Sequence, residues 1–149
     1  MKNANKKMLN AWMYKGKDDL LFAKAAFKET EFYSQICCLC QQAVEKYIKA
    51  AILAIQGEIA EEDKIHNLNI LAKKCKPLAD LSQFEKELRI LTQSYIPARY
   101  PDESHLEVFS KDEAKKCVEI AEKIIGFIEE KLEKIKKFTT FNFTNFINF

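Results

Sequence analysis

The sequence predicts an all-α protein, an up-and-down bundle of four to five helices. Three observations carry that expectation. Only three Gly and three Pro punctuate the 149 residues, so the elements between turns are long and suit helices better than a many-stranded sheet. Apolar residues recur at three- and four-residue steps over long windows, the period of a helix with one side buried. Hydrophobic residues make up 48% of the chain and charged ones 31%, an ordinary soluble mixture in a chain long enough to bury a core as one domain.

The first helix is expected over residues 5–28, with Leu9, Trp12, Met13, Leu20, Leu21 and Phe27 as its apolar stripe. Gly16 sits inside it at a cost of about 1 kcal/mol relative to Ala. Ala23, Ala25 and Ala26 are small enough to let a neighbouring helix approach. Ser34 is a candidate N-cap for a second helix that runs to Gln56 and stops at Gly57. Its stripe is Ile36, Cys40, Val44, Tyr47, Ile48, Ala51, Ile52 and Ile55, with Glu45, Lys46 and Lys49 between them. This helix has the clearest pattern and is expected at the centre of the core.

Glu58–Ile65 reads as an acidic linker. Asn67 can cap a short helix from Leu68 to Cys75, ended by Pro77. A further helix is expected over residues 81–95, with Leu81, Phe84, Leu88, Leu91 and Tyr95 on one side. Ile96–Phe109 holds Pro97 and Pro101 and reads as an ordered loop. Ser110-Lys111-Asp112-Glu113 has the spacing of a capping box and opens a last helix, expected to end at Lys137. Its inward side carries Ala114, Val118, Ala121, Ile125, Ile128, Leu132 and Ile135. Residues 1–137 thus form the domain. Residues 138–149 form a tail rich in Phe, Asn and Thr, suited to docking on the bundle or a second subunit, with an aggregation-prone appendage as the alternative.

Several function classes lose ground here. The formal charge of +2 argues against a strong non-specific binder of duplex DNA. No glycine-rich phosphate loop is present, so no independent ATP chemistry of that type is expected. The five Cys are odd in number and three crowd one apolar segment, which suits a reducing compartment and a cytoplasmic protein. Cys37, Cys38 and Cys40 lack a second Cys or His cluster at zinc-ligand spacing, so they are read as core thiols, with no metal or other cofactor expected. The basic N-terminus is not followed by an uninterrupted apolar run, so neither a signal peptide nor a membrane span is expected.

Four segments occur in a telling order. Trp12 is followed by Asp18, Asp19, Leu20 and Ala23. Then come Gln41-Gln42-Ala43-Val44-Glu45-Lys46-Tyr47-Ile48-Lys49-Ala50, His66-Asn67-Leu68, and Tyr95-Ile96-Pro97-Ala98-Arg99-Tyr100-Pro101-Asp102. In order and spacing this set resembles the small prokaryotic HEPN domain family, above all its QQAxEKxxKA and RYPD segments. The resemblance spans residues 8–135. It implies a HEPN-like bundle of four or five helices, commonly a homodimer, and often a nucleotidyltransferase partner encoded beside it in a toxin–antitoxin or stress module. Some members are metal-independent ribonucleases, whereas others serve binding or assembly roles.

The ribonuclease members carry an Arg followed, after four to six residues, by a His. Arg99 and His105 have that spacing. A His can move a proton to or from RNA oxygens near neutral pH, and an Arg can stabilise charge on the phosphate. The motif departs from the usual form in carrying Tyr100 and Pro101 directly after the Arg, and the alternative reading makes Arg99 a loop-fixing partner of nearby acids. Arg99, Tyr100, His66, Gln42 and Lys49 are the expected contacts to RNA or a nucleotide, and Gln41 and Glu45 share their helix with the last two. The competing readings are a helix cap or loop packing for His66, a packed ring with a partnered hydroxyl for Tyr100, and a solvated helix side for Gln41, Gln42, Glu45 and Lys49.

Overall fold

A computed structural model describes residues 3–101 and 109–147, with the backbone alone for residues 3–4, 96–99 and 136–147. Five α-helices follow in order: α1 (Asn3–Glu29), α2 (Tyr33–Gln56), α3 (Leu68–Lys74), α4 (Glu85–Arg99) and α5 (Lys111–Ile147). There is no strand among the described residues, so the all-α expectation holds. No helix among them is long and apolar enough to cross a membrane.

Helix α2 lies at the centre because it is apolar nearly all round and can bury every side. It packs against α1, α3, α4 and α5. Ile36, Val44, Tyr47, Ile48, Ala51 and Ile52 are at most 1% exposed. Helix α1 packs against α2 and α5 alone among the major contacts, so its outer side stays in water. That is why Leu21, expected inside, is 52% exposed. Ile55 and Ile135, at the ends of their stripes, are each 37% exposed.

The turn between α1 and α2 corrects one expectation. The Thr30 hydroxyl donates to the Ala26 carbonyl at 2.7 Å and accepts from the Phe32 N–H at 3.3 Å. These bonds close the turn early, α2 begins at Tyr33 with no side-chain cap, and Ser34 lies within the helix rather than at its cap. At the other end the expectation holds: Gly57 has φ of 82° and donates its N–H to the Leu53 carbonyl at 2.8 Å. A positive φ of this kind suits glycine.

The acidic segment after Gly57 is more than a linker. A single 3₁₀ turn at Glu61–Asp63 turns Asp63 inward until it is 0% exposed. Lys74 pairs with its carboxylate, Gln56 Nε2 donates to it at 3.0 Å and the Ala60 N–H at 3.2 Å. Burial alone would raise the Asp63 carboxyl, but these bonds outweigh it and hold it below the usual carboxylate range. Asn67 caps α3 as expected, accepting from the Ile70 N–H at 3.1 Å.

Helix α4 starts later and ends later than the sequence suggests. A short 3₁₀ turn, Ser82–Phe84, precedes it, and it continues through Pro97 to Arg99. Proline costs a helix the one hydrogen bond its N–H would make. Here the loss falls in the last turn of a helix anchored by buried Leu88, Leu91 and Tyr95, so the helix survives. Residues 96–99 are therefore helical rather than loop, and residues 102–108 lie outside the described residues. Ser110 caps α5: the Glu113 N–H donates to its hydroxyl at 3.1 Å, and that hydroxyl donates to the Glu113 carboxylate at 3.3 Å. The backbone of α5 runs on to Ile147, past the expected end at Lys137.

Candidate functional site

Gln41, Glu45 and Lys49 recur every four residues and so share one face of α2. A solvated face is the ordinary expectation for such a row, but this one points into the bundle. Gln41 is 0% exposed, Glu45 8% and Lys49 6%. Charges withdrawn from water this far must pair, and these do. Lys49 Nζ donates to Glu45 Oε1 at 2.8 Å, and Gln41 Nε2 donates to Glu45 Oε2 at 3.1 Å. The same Gln41 nitrogen donates to the His66 carbonyl at 3.0 Å, which fixes the loop before α3 against α2. Lys49 Nζ also lies 5.9 Å from the centre of the Trp12 ring, joining α1 to the cluster by a cation–π contact.

The network surfaces at one residue. His66 Nδ1 is 3.1 and 3.0 Å from the two Glu45 oxygens, and its ring stacks on Tyr95 with centroids 5.2 Å apart. Its side chain is 59% exposed, while that of Glu45 behind it is 10% exposed. A carboxylate on Nδ1 sets that nitrogen as the donor and leaves Nε2 to accept or deliver a proton, the arrangement by which enzymes orient a working imidazole. The Gln41 Oε1 is buried with no hydrogen-bond partner among the described residues.

The sequence-predicted residues divide around this cluster. His66 and Lys49 are in it, and Lys49 acts as the buried counter-charge that holds Glu45. Gln42 is turned away from the row, half-buried, with Nε2 3.4 Å from the Cys38 sulfur. Arg99 is the last residue of α4, with its backbone one helical turn beyond Tyr95. Tyr100 follows it and is 57% exposed. His105 lies outside the described residues. Trp12 and Tyr95 join the cluster without being among the residues the sequence marks as a site. Their signal was aromatic rings within the same quoted segments, and only packing shows that the rings border the polar row.

The thiols form no such site. All five cysteines are buried. Among the described residues no group of three His, Cys, Asp or Glu side chains could hold a metal ion. Contact with Cys117, then burial, keeps the Cys37 thiol raised, while Cys37 lowers Cys117 in return. Burial pushes Cys75 up to about 12.

The HEPN domain family model matches residues 9–132. This chain belongs to the HEPN family. Among solved structures, the HEPN chain is similar to TT1696 from Thermus thermophilus, with 26% identity and a TM-score of 0.72, covering 83% of this chain and 97% of the other. It also shares the fold of ST0689, an archaeal HEPN homologue, at 24% identity and a TM-score of 0.64, over 83% of this chain and 96% of that one. No curated protein matches it.

Proposed function

We propose that this HEPN protein is of the RYPD-type branch and acts on RNA without a metal, as the partner of a minimal nucleotidyltransferase in a toxin–antitoxin or stress module of the cytoplasm. The observation that carries the reading is the exposed His66 imidazole, held at Nδ1 by buried Glu45 and stacked on Tyr95 one turn before Arg99. In the proposed reaction a base removes the proton from a ribose 2′-hydroxyl and the freed oxygen attacks the adjacent phosphorus. The bond to the 5′-oxygen breaks, an acid protonates that oxygen, and a 2′,3′-cyclic phosphate remains. Arg99 stabilises the charge that builds on the phosphate, and His105 and His66 carry the protons. Tyr100 offers an exposed ring for a base to stack on. A homodimer would face two such sets across one cleft.

A second reading, a non-catalytic module for nucleotide binding or protein assembly, is favoured by one observation. Met8, Tyr14, Leu21 and Phe22 are 52–69% exposed along the outer side of α1, more apolar surface than a solitary helix face needs.

Labelled single-stranded RNA incubated with the protein in excess chelator tests the first reading, alongside Arg99→Ala, His105→Ala and His66→Ala. The expected result is cleavage by the parent and a loss of two orders of magnitude or more in each variant, since positioned acid–base catalysis contributes about 10²–10⁴-fold. A folded parent that cleaves none of several RNAs removes the catalytic reading and leaves the binding module.

A further inference from the structure

A groove of about 580 Å³ runs between α3 and α4, away from the polar row on α2. Ala72, Leu81 and Leu88 give it an apolar floor, and Lys73, Lys76 and Arg89 stand on its walls. Two acids, Asp80 and Glu85, line the groove as well, so its cations outnumber its acids by three to two. Glu85 pairs with Arg89 at 2.8 Å, and Asp80 accepts from the Ser82 N–H at 3.0 Å. Lys73 and Lys76 are exposed and form no ion pair within 4.0 Å among the described residues, and the Lys76 charge also acts on Asp80 across the groove.

The groove opens toward the candidate site. Asn67, next to His66, and Thr92, one turn before Tyr95, both line it, and Thr92 Oγ1 accepts from the Leu68 N–H at 3.2 Å to fix α3 on α4 at that end. Ten residues of α4 separate Arg89 from Arg99, about 15 Å along the axis at 1.5 Å per residue. The groove thus ends beside His66, and the α4 backbone carries on from Arg89 to Arg99 past that end.

We propose that the α3–α4 groove is a second binding site, a track for single-stranded RNA in which Lys73 and Lys76 contact the phosphates of nucleotides flanking the one held at Arg99. The proposal rests on the RNA reading above. Contacts of this kind add affinity without base preference, because every nucleotide presents the same phosphate.

Fluorescence anisotropy with labelled single-stranded RNA in chelator, over a series of salt concentrations, tests it without requiring cleavage. Both lysines are exposed, so Lys73→Ala/Lys76→Ala preserves the fold. A Lys15→Ala/Lys28→Ala control removes the same charge from exposed positions on α1. Each phosphate contact on a single strand contributes about 0.7 to the slope of log affinity against log salt. The groove variant should bind every RNA more weakly with a slope shallower by about 1.4, and the control should keep the parent's slope. A groove variant indistinguishable from the control overturns the track and leaves the RNA reading standing. A folded parent that binds no single-stranded RNA overturns both.

Discussion

Replacing Gly16 by alanine should destabilise the protein, although alanine is the better helix former by about 1 kcal/mol. A Cβ at this position would stand 2.8 and 2.9 Å from the Tyr47 Cδ2 and Cε2 atoms and 3.2 Å from the Ala43 carbonyl oxygen. Carbon atoms rest at roughly 3.5–4.0 Å, so one partner must move. Tyr47 has nowhere to go: it is 1% exposed, and its hydroxyl donates to Glu129 at 2.5 Å on α5. The Ala43 oxygen belongs to the backbone of α2. Overpacking against such neighbours costs about 1–3 kcal/mol, and two fixed partners put this case in the upper half of that range. Subtracting the propensity gain leaves a net loss of about 1–2 kcal/mol, or a fall of roughly 3–6 °C in Tm for a chain of this size. Gly126, in the middle of α5, is the internal control. A Cβ there meets nothing within 4 Å, so Gly126→Ala should raise stability by about 1 kcal/mol. Thermal and urea unfolding of the two variants measure both values. Two alanines that raise Tm alike would show that Gly16 is not a packing requirement and that the close approach of α1 to α2 is misjudged.

Two further perturbations test the buried charges. Asp63 has a carboxyl held low in the folded state, so the stability it contributes is complete above the ordinary Asp value of about 3.9 and drains away as pH falls below it. Asp63→Asn should lose about 2–3 kcal/mol at pH 7 by urea unfolding, and its deficit against the parent should narrow at pH 3; a deficit independent of pH would show that the charge is not what Lys74 and Gln56 hold. Glu45→Ala strands the Lys49 ammonium inside the bundle and should cost about 3–5 kcal/mol, whereas His66→Ala, at an exposed ring, should cost under about 1 kcal/mol. Equal losses from the two, read by urea unfolding, would mean that His66 is a structural prop rather than the working end of the network.

The sequence by itself determined the elements whose causes are local. The recurrence of apolar residues from Ile36 to Ile52 is enough to mark α2, and Gly57, Asn67 and Ser110 mark helix ends by chemistry that acts within four residues. The ordered segments around Gln41, His66 and Arg99 were also enough to indicate the HEPN family. What failed were judgements that needed a neighbour. Ser34 has cap chemistry but lost the position to bonds made by Thr30, and Pro97 has breaker chemistry but sits on a helix secured by Leu88 and Leu91.

The site shows the same division more sharply. Glu45 and Lys49 look in sequence like any polar row between apolar positions. Only the tertiary structure decides that α1 and the loop before α3 cover them, since whether a charged helix face meets water or protein depends on which other elements pack there. Asp63 was hidden for that reason inside an apparently acidic linker, and Gln41 rather than Gln42 belongs to the cluster because one residue turns a helix by about 100°. Periodicity tells a chain which faces are alike. Packing alone brings His66, Glu45 and Tyr95, far apart in sequence, to one place, because their contacts span elements that no local rule connects.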